Sequence, residues 1–552
     1  MLKIKAIFGK MWVLGAAVAL VSASSTSVAD DRASKRVTFS KDVAPILFAN
    51  CVSCHRPGDI APMSLLTYEQ ARPWAKSIRT KVAAREMPPW SADPKVGHFR
   101  NDMSLSDAEI DTILQWIDQG TPRGNPSDMP MTPDLPPTGE WQLGTPDYII
   151  TLPEVTVPAE GPDIFPNVIV PIDIPEDRWI QAIETLPDNL KVNHHTTLFM
   201  GAGFGGRDTG FFDFLSVWTP GTPPAVFPEG MGKLIPKGAI ISVSRHFHVA
   251  GTEETDRSRI GFYFGDGPLK KQIRTVLPGT LNFSIPPQAS DYVMTAKYLI
   301  HEDSRAISLY PHMHLRGRSQ TIVAHYPDGT RETLLNVPKW DFGWQWMFYP
   351  TEPILLPRGT LIEVEAHYDN TLENPWLGRY GGDPDRAVTW GQQSTDEMMF
   401  GMIEVIAEEG THLSPITEEA RIGALLERYS AEDLYRIDLT RKGTTTASVL
   451  HLPRQGEGLW FLFGGLTQWS TMRVTELDWE AEDFSFETVL NLPVGLGLAM
   501  GGAAASGMSG DLTVRGSLSV DGSIRGSFIR AAEPEAELSI EPFEGVRVAI
   551  GR

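Results

Sequence analysis

Cys51 and Cys54 stand three apart in the run "CVSCH" (51–55), and no other cysteine occurs among the 552 residues. A chain this long has material for three or four domains, and none can lean on a disulfide staple. Each must be held by its own packed core. The pair itself fits one chemistry best. C-x-x-C followed by His is the haem-attachment pattern: two thiols on one helical turn form thioethers to the haem vinyls, and His55 meets the iron. The competing readings are a disulfide or half a zinc site, and the second cysteine pair that zinc would need is absent. We therefore expect a covalent haem c held by Cys51, Cys54 and His55. A haem used for electron transfer commonly takes a methionine as sixth ligand. Met63, Met87 and Met103 are candidates; Met87 in "AREMPPW" is best placed, after a helix and before two stiffening prolines.

Residues 1–29 read as an export signal. Lys3, Lys5 and Lys10 form the basic region, "MWVLGAAVALV" (11–21) the apolar core, and "SVA" (27–29) the cleavage site. Eleven apolar residues are too few for a stable membrane span; an uncleaved anchor is the competing reading. The expected location is periplasmic or secreted. The formal charge is −21, and losing three lysines makes it more negative still, which argues against nucleic acid or anionic lipid as partner.

The texture changes along the chain. Residues 36–125 predict a small all-α domain. "TYEQARPWAKSIRTKVAARE" (67–86) and "LSDAEIDTILQWIDQG" (105–120) have helical apolar spacing, the second with Ser106 as N-cap, Glu109 three residues on, and Gly120 as stop. A proline-rich linker (126–144) should be extended and semi-rigid. From 145 to 412, short β-branched and aromatic runs such as "AIISVSRHFHV", "RIGFYF" and "LIEVEAHYDN" alternate with Pro/Gly turns. That predicts two all-β sandwiches, 145–280 and 281–412. In the tail (413–552), "TEEARIGALLERYSAEDLYRI" (417–437) predicts a helix. "LTVRGSLSVDGSIRGSF" (512–528) predicts a hairpin about Asp521-Gly522. "LPVGLGLAMGGAAASGM" (492–508) reads as a glycine-rich stretch rather than a membrane span. The tail is otherwise β-rich and of no assigned role.

Within the β region the histidines come in pairs: His194 and His195 in "KVNHHTTLFM", His246 and His248 in "SRHFHVAG", His312 and His314 in "PHMHLRG". On a strand, residues i and i+2 share a face, so each H-x-H can aim two imidazoles at one point. Adjacent His194 and His195 would diverge unless a bulge or strand end turns them together. A single such pair is more often a hydrogen-bonded core feature; three within about 120 residues point to metal. Imidazole alone admits zinc, copper, iron or nickel. "TDEMMFGMIEV" (395–405) adds a thioether, soft and suited to Cu(I), though Met398 by itself reads equally as core filling.

The ordered set "HH … HFHVAGTE … PHMHLRG … DEM" resembles the copper type II, ascorbate-dependent monooxygenases, the family of peptidylglycine and dopamine hydroxylases. The resemblance covers residues 145–405. It implies two linked jelly-roll-like sandwiches facing across a wet cleft, one copper ion on each. His194, His195 and His246 would hold the first copper; His312, His314 and Met398 the second, where dioxygen binds and a substrate C–H bond is hydroxylated. His248 competes with His246, Met399 with Met398, and His367 has no counterpart. Peptide-amidating members carry an arginine where this chain has Tyr310, and Phe400 lies two residues after Met398. The implied substrate is a small uncharged or aromatic molecule. The two electrons would come from outside, from an ascorbate-like reductant or a redox protein, and run from haem to first copper to second. A non-catalytic haem/copper carrier and a zinc hydrolase are the alternatives. "KWDFGWQWMFYP" (339–350) reads as core ahead of a substrate channel.

Overall fold

A computed structural model describes residues 36–135, 138–201, 214–280, 283–441 and 444–453, and beyond them 458–462, 469–478, 483–489, 511–518, 523–530 and 540–547. The export signal, the Asp521-Gly522 turn and the 492–508 stretch lie outside the described residues. Among those described, no helix is long and apolar enough to cross a membrane.

The first part is helical: Phe39–Val43 (a π turn), Ala44–Asn50, Tyr68–Ala71, Ala75–Ala83 and Asp107–Asp118. The last forms as its sequence dictates. The Ser106 hydroxyl accepts from the Glu109 N–H at 3.3 Å, and the Glu109 carboxylate accepts from the Ser106 N–H at 2.9 Å. Ile110, Ile113 and Trp116 then face a core with Phe39, Leu47 and Ile78. The helix expected over 67–86 is shorter and broken. A 3-10 turn at Arg72–Trp74 carries Pro73, which has no N–H for an α-helical bond.

Next come two layered β units. In the first, a six-stranded sheet built on Arg178–Leu186 and Arg259–Phe264 faces a four-stranded sheet ordered Asn167–Pro171, Ile240–Phe247, Asn193–Met200, Phe214–Trp218. Ile180, Ile183 and Phe262 from one and Leu198, Leu215 and Val243 from the other fill the space between. In the second, Met399–Ala407 pairs with Ser304–Met313, and this sheet packs on a four-stranded one containing Leu361–Tyr368 and Gly317–His325. The expected boundary at 280 is too late. Arg274–Val276 and Gly279–Thr280 already pair with Met399–Ala407, so the crossover supplies an edge of the second unit.

The helical region is not merely tethered. Its 93–101 segment runs along the second unit: Asp93 N donates to the Asn336 carbonyl at 2.8 Å, Arg100 N to Tyr349 at 2.9 Å, and Thr351 N to His98 at 2.8 Å. Trp90 and Phe99 pack edge-on against Phe348 in that unit's core.

In the tail the helix is Glu418–Leu426, and the expected 417–437 span is too long: Leu434–Arg441 is already a strand. Eight strands from Leu434–Arg441 to Ile540–Arg547, each antiparallel to its neighbours, close into a barrel. The hairpin expected over 512–528 is its Asp511–Leu518 and Ser523–Arg530 pair.

Candidate metal centres

His194 and His195 meet because the strand bulges. Asn193 pairs with Phe247 and His195 with His246, so His194 is the extra residue between them. The three Nδ1 atoms of His194, His195 and His246 then stand 3.1–3.3 Å apart. A point equidistant from them lies about 1.9 Å from each, against roughly 2.0 Å for a metal–imidazole bond.

His248 packs beside the trio, its ring 4.2 Å from that of His194, but its Nδ1 lies 2.7 Å from Asp163 Oδ2, an oxygen that also lies 2.8 Å from His246 Nε2. The carboxylate can only accept, so His246 carries its proton on Nε2 and turns a bare Nδ1 to the trio. Asp163 reaches both rings because Ile164 bridges Phe247, which places Asp163 and Phe165 beside the flanking histidines. Phe165 stacks on His246 at 4.3 Å.

Burial first, and neighbouring imidazoles second, hold His194 and His246 well below 6.5 and His195 down to about 3. Burial keeps the rings neutral, so each has one nitrogen lone pair to offer a metal.

The second set lies on the Ser304–Met313 and Met399–Ala407 pair. Pleating alternates the faces. Met313 and Met399 point into the core between the sheets, whereas Met398, Tyr310, Phe400 and Met402 cluster on the other side. His312 belongs to that side, stacked between Tyr310 and Phe400 at 6.1 Å from each. Met398 therefore shares a face with His312, and Met399 does not. The ring of His314 is 5.3 Å from that of His312 and perpendicular to it. His314 Nδ1 is buried without a partner.

Glu397 clamps this set. Its Oε2 accepts from the N–H of His314 (2.8 Å) and of Met398 (3.1 Å), and its Oε1 from that of Arg316. Burial pushes the Glu397 carboxyl up to about 8 against those donors. Gln345 fixes His312: its Oε1 is 2.7 Å from His312 Nδ1, while its Nε2 donates to the Phe342 carbonyl. That leaves His312 Nε2 as the free nitrogen. Burial holds His312 down to about 4 and His314 well below its usual value.

Side chains of the second unit lie directly against the first set. From the second unit, Phe342 stacks on His194 at 5.1 Å and Tyr380 on His248 at 5.3 Å, and Ser394 Oγ lies 3.3 Å from His246 Nε2. His367 stands apart, on Asp291 at 2.8 Å near the surface.

The cysteines lie in a turn that follows the Ala44–Asn50 helix, closed by His55 N donating to the Cys51 carbonyl at 2.9 Å. Both thiols are free, and burial pushes Cys51 up to about 12, a poor start for a zinc thiolate. His55 Nδ1 lies 3.1 Å from the Met63 carbonyl, which can only accept, so Nε2 is bare and free to ligate. Met87 follows the Ala75–Ala83 helix, its N–H on the Lys81 carbonyl.

Asp163, Gln345, Glu397 and Ser394 were not legible as site residues. Only Glu397 carried a signal, as the neighbour of Met398 in "DEM". No protein-family model matches the chain, and no curated protein sequence matches it.

Proposed function

We propose that this is an exported, periplasmic or secreted copper type II monooxygenase, hydroxylating a C–H bond of a small uncharged or aromatic substrate with O2. In this reading residues 36–125 are a cytochrome c domain and the two β units are the jelly-roll-like copper domains. The convergence of three Nδ1 atoms to 3.1–3.3 Å, facing a His312/His314/Met398 face, carries the reading. When bound, copper at His194, His195 and His246 stores an electron, and copper at His312, His314 and Met398 activates dioxygen. The net reaction would place one oxygen atom in the substrate and release the other as water, with two electrons and two protons from outside; Cys51, Cys54, His55 and Met87 would hold a haem c that supplies the one-electron transfer.

The chain's own residues prepare this chemistry. Buried neutral imidazoles offer lone pairs, and the Met398 thioether favours the cuprous state. Asp163 and Gln345 orient the rings they touch. Tyr310 and Phe400 present an apolar wall beside His312, which favours an uncharged substrate over a carboxylate.

The test is metal analysis of protein purified from periplasm. Two coppers and one haem per chain are expected, with Met398→Ala losing the second copper and reductant-driven oxygen uptake. Zinc in their place, with Met398→Ala silent, sinks the reading. A second reading, a non-catalytic haem/copper carrier, is favoured by burial: His194, His246 and His314 are only 8%, 1% and 6% exposed. It predicts full copper loading and no oxygen uptake with any uncharged aromatic tested.

A further inference from the structure

The Cys51–His55 turn meets the first β unit at Gly221. At Gly221 a side chain would begin 3.1 Å from Cys54 Sγ and 3.8 Å from both the Trp344 and Trp346 rings. Gly221 is left-handed (φ +83) and lacks a Cβ, so all three groups crowd around it. Trp344 and Trp346 are parallel to within 2°, ring centroids 6.3 Å apart. Between them sits Gln345, whose Oε1 accepts a hydrogen bond from His312 Nδ1 at 2.7 Å. The backbone of this strip is pinned from the helical region as well: Asn101 Nδ2 donates to the Met347 carbonyl at 2.8 Å, and Tyr349 N to Asn101 Oδ1 at 3.1 Å. Toward the first unit, Phe342 stacks on His194 at 5.1 Å and tilts against His248 at 6.5 Å, and Thr219 Oγ1 donates to the Gln345 carbonyl at 3.4 Å.

We propose that Trp344-Gln345-Trp346 is the electron-entry strip, and that electrons enter at His312 rather than at the three-histidine set. This rests on the proposed function and reverses the order the family resemblance implies. The step balances as a one-electron exchange. The ferrous haem on Cys51 and Cys54 becomes ferric, and a cupric ion held by His312, His314 and Met398 becomes cuprous. No bond breaks, and no proton leaves the Gln345–His312 hydrogen bond. An external one-electron donor then refills the haem. Gln345 is a positioning residue here. It orients the His312 ring and ties it to the strip through a hydrogen bond and a few covalent bonds.

The experiment uses the full chain, loaded with haem and copper and free of oxygen. A flash-generated flavin radical reduces the haem, and the haem absorbance then reports loss of the electron to copper. Copper electron paramagnetic resonance checks each variant's sites. Gln345→Leu should slow the copper-dependent phase by about tenfold or more, the scale on which outer partners of metal ligands act. Its haem spectrum should not change, and its rate is compared with the parent's at matched copper occupancy, read from the copper signal. Gln345→Glu keeps an acceptor for His312 and should restore the rate, and Phe342→Leu should leave it nearly unaltered. If Gln345→Leu decays like the parent, or Phe342→Leu is the slow variant, the assignment is wrong. If Gln345→Leu loses copper, Trp344→Leu carries the test: it leaves the His312 contact intact, a slowed phase supports the route and an unchanged one overturns it. A parent protein with no copper-dependent phase overturns the haem-to-copper reading itself. That outcome differs from the others because every variant then behaves alike.

Discussion

Met398 and Met399 are adjacent, and pleating separates their roles. Met399 is fully buried between the sheets of the second unit, and Met398 lies beside Tyr310 and Phe400 on the His312 face. Met399→Ala should cost about 2–5 kcal/mol in chemical denaturation with copper retained. Met398→Ala should lose copper from the second set, the readout that separates it from Met399→Ala, as metal analysis would record. For the first set, Asp163→Asn should weaken copper binding about 10–100-fold by competition titration, because it loosens the His246 ring without removing a ligand. The proposed ligand pair His312 and His314 could be read from the sequence because strand periodicity puts residues i and i+2 on one face. Asp163 was not, because it lies 83 residues from His246 and meets it only through the Ile164–Phe247 bridge.

Among elements, the bulge at His194 was readable as a requirement before its register was known: adjacent histidines cannot otherwise converge. The edge strand Arg274–Val276 was not readable, since a short β-branched run does not say which of two sheets it joins. The Leu361–Tyr368 strand carries a pH-sensitive pair. Glu363 lies 3.6 Å from His325 and 3.1 Å from Lys297 on the strands to either side. His325 foremost, with Lys297, draws its carboxyl from 4.5 down to about 2 against its burial. A carboxyl depressed in the folded state stabilises fully above pH 4.5, and that contribution drains away as pH falls toward 2. Urea unfolding should therefore show the second unit losing on the order of 2 kcal/mol across that window, and Glu363→Gln should flatten the slope.

At the scale of the molecule, the two β units are joined by charge as well as by the histidine sets. Lys233 of the first unit, almost wholly buried, pairs with Glu404 of the second and donates to the Phe214 and Leu215 carbonyls, while Ser308 donates to Glu404. Glu404→Leu alone leaves a buried cation and should cost about 3–5 kcal/mol, whereas Lys233→Met with Glu404→Leu should recover most of it. A double-mutant cycle in thermal unfolding measures both. The reading of a helical domain on a proline tether missed how firmly it is fixed, because nothing in residues 93–101 announces their receptor in 336–351. That graft has a consequence for how such a chain can be recombined. Cutting at the prolines and exchanging the front module for a relative's would pull Trp90 and Phe99 out of their sockets. A working chimera would have to inherit plug and socket together, so the two halves can only be traded as a matched set.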